Sequence, residues 1–63
     1  MLIRYEKTTE HDIVLVIDEV DKFLGKIDLF DLVDCIDREK EPLNEDEYLY
    51  WFVDKEKLNL FLI

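Results

Sequence analysis

One stretch decides the fold of this chain: residues 27–37, which read Ile-Asp-Leu-Phe-Asp-Leu-Val-Asp-Cys-Ile-Asp. Asp28 is a favourable N-cap residue, and Asp31 follows in the first turn, where the helix dipole favours negative charge. Apolar residues then recur at helical spacing, namely Leu29, Leu32, Val33 and Ile36. The pattern predicts a helix that begins after Asp28, runs to about Lys40 and ends at Glu41-Pro42, because the residue before proline disfavours helical geometry.

The segments before this helix are predicted to be strands. Residues 2–7 alternate loosely, and residues 13–17 are an apolar run rich in β-branched side chains. A helix over residues 10–24 is the alternative, since Thr9 and Asp12 form a possible capping box and Gly25 a possible stop. In either case, residues 22–26 are expected to form a turn around Gly25.

The segments after the helix predict an acidic connector at residues 42–47 and then a β-hairpin. Its strands would be residues 48–53 and 58–63, joined by the charged loop 54–57. The predicted fold class is α+β, with an antiparallel sheet of three or four strands and one helix packed on it. The element order is β-β-α-β-β, or β-α-α-β-β in the alternative, within a single small acidic domain covering residues 1–63.

The charge of the chain restricts its partners. Seventeen acidic and eight basic residues give a net charge of −9. Such a chain is repelled by nucleic acids and anionic membranes and attracted to basic proteins. The expected partner is therefore a basic nucleic-acid-binding protein, with no direct contact to nucleic acid or membrane. A single cysteine and no long apolar run fit a cytoplasmic setting.

A short acidic motif follows the apolar run. Residues 13–22, with the sequence IVLVIDEVDK, resemble the Walker B strand of AAA+ ATPases. The resemblance implies that Asp18 helps to hold magnesium and that Glu19 activates water. The phosphate-binding loop G-x-x-x-x-G-K-[ST] is absent from the chain, which has one glycine and no serine. ATP hydrolysis is therefore not expected, and the motif indicates a strand that ends near Ile17.

The sequence offers few residues for other catalytic or metal-binding sites. Without serine, the lone His11 cannot complete a hydrolase triad. Cys35 projects among carboxylates, which would raise the pKa of its thiol and weaken it as a nucleophile. Aspartates three apart on a helix diverge and cannot share one metal ion. We expect a non-catalytic protein without cofactor or metal.

The aspartates of the predicted helix are the first candidate binding site. Asp28, Asp31, Asp34 and Asp37 would wind around it with a rise of about 4.5 Å per step, and Glu41 would extend the row. The phosphates of one DNA strand are spaced by about 3.4 Å. This similarity suggests a nucleic-acid mimic, an inhibitor of the phage or mobile-element type directed against host defence or transcription. Alternatively, the aspartates form a solvated face that keeps the domain soluble.

Aromatic residues supply two further candidates. Phe30 falls on the acidic side of the helix, where it would anchor a partner or else fold over the sheet as core. Tyr48, Tyr50 and Phe52 alternate onto one face of their strand. One helix covers only one face of a sheet, so this second face is predicted to be an exposed aromatic patch. It would support self-association as a homodimer, contact a partner or be covered by a second helix. The alternative function is thus an oligomeric assembly or regulatory subunit.

Overall fold

The computed structural model describes residues 1–63 and contains five strands and two helices. In chain order these are β1 Leu2–Lys7, β2 Ile13–Asp18, β3 Phe23–Asp28, α1 Leu29–Cys35, β4 Leu43–Glu45, β5 Tyr48–Phe52 and α2 Lys55–Phe61. The strands form one antiparallel sheet in the order β3-β2-β1-β5-β4. The predicted α+β class is confirmed, whereas the predicted order β-β-α-β-β is wrong and the predicted count of three or four strands and one helix is too small.

The first two strands lie where the sequence places them. β1 pairs with β2 from Ile3–Asp18 to Lys7–Val14. Val14 and Val16 are buried, as expected of a β-branched run on a pleated surface. The alternative helix over residues 10–24, and with it the order β-α-α-β-β, is wrong.

The turn predicted around Gly25 is also wrong, because Gly25 lies inside β3. Its φ is +147°, and a Cβ atom there would lie 3.1 Å from the carbonyl oxygen of Ile63. The Ile63 N–H donates to the Lys26 carbonyl at 2.8 Å, so the end of the chain lies against β3. Glycine in a strand often marks such a close approach of two backbones.

Helix α1 begins as predicted but ends earlier. Asp28 is its N-cap, and the Asp28 carboxylate accepts a hydrogen bond from the Phe30 N–H. The helix ends at Cys35 rather than before Pro42. Ile36 forms a β-bridge with Val53, and the Asp37 N–H donates to the Phe52 carbonyl at 2.8 Å. Pairing with β5 therefore overrides the helical pattern of the sequence.

The C-terminal third differs most from the prediction. The expected connector contains β4, which pairs with β5 through a two-residue turn at Asp46 and Glu47, both with positive φ. Residues 58–63, predicted as a strand, lie largely in α2. Asp54 caps this helix by accepting from the N–H groups of Glu56 and Lys57.

Both helices pack on the same face of the sheet. Leu32 and Cys35 of α1 and Leu58 of α2 are buried in one cluster with residues of four strands or strand ends. The sheet contributes Ile3, Val14, Val16, Ile27 and Val53. Val33, expected in the buried stripe of α1, is exposed instead, since Cys35 points into the core in its place. The other face of the sheet has no helix over it.

Candidate protein-binding surface

The four aspartates of residues 28–37 do not form a row along one helix. Asp31 and Asp34 lie on α1, whereas Asp28 caps it. Asp37 lies beyond the helix, where its carboxylate accepts a hydrogen bond from the Glu39 N–H at 3.0 Å. The predicted winding row is wrong because α1 ends at Cys35.

Most aspartates in the chain have a local structural role. Four of the nine accept backbone N–H hydrogen bonds at turns or helix starts, and three others adopt the positive φ that Asp tolerates better than most residues. The first group is Asp18, Asp28, Asp37 and Asp54; the second is Asp12, Asp21 and Asp46. Only Asp31 and Asp34 have neither role. Much of the aspartate content therefore serves the backbone.

Asp18 of the Walker B-like motif is one of these structural aspartates. β2 ends at Asp18, close to the predicted end at Ile17. The Asp18 carboxylate accepts from the N–H groups of Val20 and Lys22, at 3.0 and 2.9 Å. It thereby closes the turn between β2 and β3, while Glu19 is exposed beside it.

The net charge is concentrated in one segment. Residues 31–47 contain eight acidic and two basic residues, a net charge of −6, whereas the other 46 residues together carry −3. None of the ion pairs in the protein involves this segment. We call its eight acidic residues the acidic rim: Asp31, Asp34, Asp37, Glu39, Glu41, Glu45, Asp46 and Glu47. Glu41 is therefore part of an unpaired acidic segment, although not as an extension of α1.

Six of the eight residues of the acidic rim, from Asp37 to Glu47, follow one edge of the sheet, and the other two lie on α1. Ile36 pairs with Val53 at one end and Glu45 with Tyr48 at the other, so the intervening chain runs along the outer side of β5. Every residue from Arg38 to Leu49 is exposed. The elements that place the rim are thus the short α1, the bridge at Ile36 and the tight turn at Asp46. A count of charge by segment would have found the rim in the sequence, whereas its path along β5 required the pairing.

Phe30 lies next to the start of the rim. Its side chain is 69% exposed, on the face of α1 opposite the buried Leu32 and Cys35. The interpretation of Phe30 as core is therefore wrong. Its role as an anchor for a partner stays a prediction.

The aromatic residues of β5 are less exposed than predicted. Tyr50 is 3% exposed, and Phe52 is half-buried with the Lys40 ammonium 5.0 Å from its ring centroid. Tyr48 is 44% exposed and lies over the Arg4 guanidinium at 4.1 Å. The face that lacks a helix is thus covered by its own side chains, and the predicted exposed aromatic patch reduces to Tyr48 among these three.

Arg4 is the centre of that face. It is 8% exposed, and its guanidinium donates to Asp21 at 2.9 Å and to Glu6 at 2.6 Å. The hydrogen bond to Asp21, followed by the contacts with Glu6, raises the pKa of Arg4 above its ordinary value, although burial acts in the opposite direction. Arg4 therefore stays charged and is neutralised within the protein.

Two further reactive side chains, Cys35 and His11, lie in different surroundings. Cys35 is buried, and burial raises the pKa of its thiol; Lys57 acts in the opposite direction, while Asp31, Asp34 and Asp54 add to the increase. The predicted direction is confirmed, but burial is the larger cause. His11 is exposed and lies 3.2 Å from Asp12. No three His, Cys, Asp or Glu side chains are grouped so as to hold a metal ion.

The chain was compared with protein-family models, curated proteins and solved structures. No protein-family model, curated protein or solved structure matches the chain. Neither helix has the length and apolar character needed to cross a membrane.

Proposed function

We propose that this protein is a non-catalytic inhibitor whose acidic rim occupies the basic nucleic-acid-binding surface of a target protein. The observation that carries the proposal is the concentration of unpaired charge, −6 within residues 31–47 without one internal ion pair. Like charges held close together oppose folding, so a partner that supplies positive charge gains from every rim residue it contacts.

The dimensions of the rim suit a phosphate-like track. The edge from Tyr48 at the start of β5 to the bridge residue Val53 spans five residue steps, or about 17 Å at the usual rise of a strand. One DNA strand places about five phosphates over that length. The rim carries eight carboxylates along this edge and the adjoining helix, so its charge density supports mimicry of a nucleic-acid backbone.

Phe30 gives the proposed surface an apolar component. It lies beside Asp31, and an exposed aromatic residue ringed by charges is a frequent centre of binding energy in interfaces. The chain would act inside the cytoplasm as a small inhibitor of the phage or mobile-element type. Its partner is the basic protein itself rather than DNA or RNA.

The test is affinity capture from cells of the source organism with matched variants. The rim variant Glu41→Gln/Glu45→Gln and the control variant Glu19→Gln/Glu56→Gln each remove two exposed carboxylates, but only the first pair lies in the rim. We expect a basic protein to be retained by the wild type and the control variant, to be depleted on the rim variant, and to be eluted by added DNA or RNA.

Equal retention by the two variants, or a partner that nucleic acid does not displace, would contradict the proposal. Retention that is lost only on Tyr48→Ala would instead support the assembly or regulatory subunit, since Tyr48 is the one residue of the aromatic trio left exposed.

A further inference from the structure

The sheet contains a cleft between two neighbouring strands. β1 and β5 pair only at Leu2–Phe52 and Ile3–Trp51. Beyond these pairs, β1 continues to Lys7 on β2, and the first residues of β5 pair with β4. The two strands therefore part after a short shared ladder and leave an opening inside the sheet.

Backbone groups on both sides of this cleft lack a strand partner. The Val53 N–H donates to the Met1 carbonyl at 2.9 Å, which fixes the hydrogen-bonding phase of the β1–β5 ladder. Met1 and Val53 are therefore a hydrogen-bonded pair. Because bonded and non-bonded pairs alternate in antiparallel ladders, every second residue of β1 after Met1, namely Ile3 and Tyr5, directs its backbone N–H and carbonyl toward β5. On β5, the two-residue turn makes Glu45–Tyr48 a bonded pair, and Leu49 consequently directs its N–H and carbonyl away from β4.

Side chains around the cleft suit a peptide. Tyr5, Tyr48 and Trp51 line it together with Arg4. The Arg4 side chain is only 10% exposed, and its Nε has no hydrogen-bond acceptor. An unsatisfied buried donor is costly, and a shift of the Tyr48 ring, which covers the guanidinium, would open Nε to a carbonyl oxygen.

We infer that this cleft binds an extended peptide segment of a partner protein as an added strand. The peptide main chain would pair with Tyr5 on one side and with Leu49 on the other, and supply an acceptor to Arg4. The exposed acidic turn at Asp46 and Glu47 favours a segment that contains Lys or Arg. A second copy of the chain is disfavoured because each copy carries −9.

The cleft lies on the side of β5 opposite to β4 and to the rim residues Glu41 and Glu45, whereas the rim residues Asp46 and Glu47 form the turn that leads into β5. The inference therefore goes beyond the proposed inhibitor function and does not depend on it.

The test uses two capped hexapeptides of equal charge, Lys-Val-Lys-Val-Lys-Val and Lys-Pro-Lys-Pro-Lys-Pro. The second lacks alternate N–H donors and cannot continue a ladder. Amide hydrogen exchange, followed by NMR, measures protection residue by residue. We expect the Lys-Val peptide to slow exchange at Tyr5 and Leu49 about tenfold at saturation, and the Lys-Pro peptide to leave both unchanged.

Two proline variants test on which side of β5 the peptide binds. Leu49→Pro removes an N–H that faces the cleft, whereas Asn44→Pro removes the N–H of the opposite residue, which faces outward from β4. Dispersed amide spectra identify folded variants. We expect the affinity for the Lys-Val peptide to fall at least about fivefold in Leu49→Pro, as when a hydrogen bond is lost, and to stay unchanged in Asn44→Pro.

Three results would overturn the inference: no binding of the Lys-Val peptide, equal protection by both peptides, or protection at Asn44 instead of Tyr5 and Leu49. None of them bears on the proposed inhibitor function, because that function is judged by variants at Glu41 and Glu45. Failure of one proposal is thus distinguishable from failure of the other.

Discussion

Arg4 donates a hydrogen bond to Asp21 at 2.9 Å and thereby joins the middle of the sheet to the turn between β2 and β3. The same guanidinium donates to Glu6 and lies under the Tyr48 ring. One buried cation thus connects the turn, β1 and β5 on the face that no helix covers.

Loss of this cation should destabilise the fold. We expect Arg4→Ala to lower the melting temperature by at least roughly 4 °C, and Arg4→Lys to recover only part of it, because a lysine cannot bridge two carboxylates in one plane. Circular dichroism on heating measures the change. Lys26→Ala, which removes the exposed pair with Glu10, is the control and should change the melting temperature little. Equal effects of Arg4→Ala and Lys26→Ala would contradict the role given to Arg4.

Gly25 should resist substitution. Its φ of +147° is unfavourable for other residues, and an added Cβ would crowd the Ile63 carbonyl oxygen. We expect Gly25→Ala to lower the free energy of unfolding by about 1–3 kcal/mol, measured in urea. Repeating the substitution in a chain without Ile63 separates the two causes, since only the crowding is relieved. A neutral Gly25→Ala would show that β3 and the tail do not meet as described.

Substituting an aspartate that caps a helix should lower the free energy of unfolding more than substituting one that binds no backbone group. Asp54→Ala removes the N-cap of α2 and should cost about 1 kcal/mol, while Asp54→Asn retains the cap and should cost little. Asp34→Ala is expected to change the free energy of unfolding by less than about 0.5 kcal/mol, because Asp34 is exposed and holds no backbone group. Urea denaturation of the three variants checks the order, and similar losses at Asp34 and Asp54 would be inconsistent with it.

The buried thiol should make stability depend on alkaline pH. The pKa of Cys35 is raised in the folded protein, so the unfolded chain ionises first as pH rises through about 8.5. The stabilisation is complete below that pH and is lost as pH rises toward the folded pKa. We expect the free energy of unfolding to fall above about pH 8.5, and Cys35→Ala to lack this part of the slope. An identical slope in both proteins would exclude the thiol as its source.

The sequence predicted elements with strong local signals. The apolar run at residues 13–17 and the cap at Asp28 were enough to place β2 and the start of α1. The end of α1 was not predictable in this way, because it depends on a bridge from Ile36 to Val53 that is seventeen positions distant. The same holds for Gly25, whose place in β3 is explained by the tail that crosses it.

The candidate site was predicted in part for the wrong reason. The excess of acidic residues predicted an acidic surface, but of the four regularly spaced aspartates only Asp31 and Asp34 lie on α1. Asp28 caps the helix, and Asp37 accepts a hydrogen bond in the turn beyond it. The reduced exposure of Tyr50 depends on tertiary packing around Arg4, which no local pattern in the sequence encodes.

The salt dependence of binding to the captured partner tests the central claim most directly. Affinity is measured over a series of salt concentrations for the wild type, Glu41→Gln/Glu45→Gln and Glu19→Gln/Glu56→Gln. If the rim occupies a basic surface, affinity falls steeply with salt, and the rim variant binds about threefold to tenfold more weakly with a shallower slope. The control variant should match the wild type. An affinity that does not respond to salt, or an equal loss in both variants, would contradict the account.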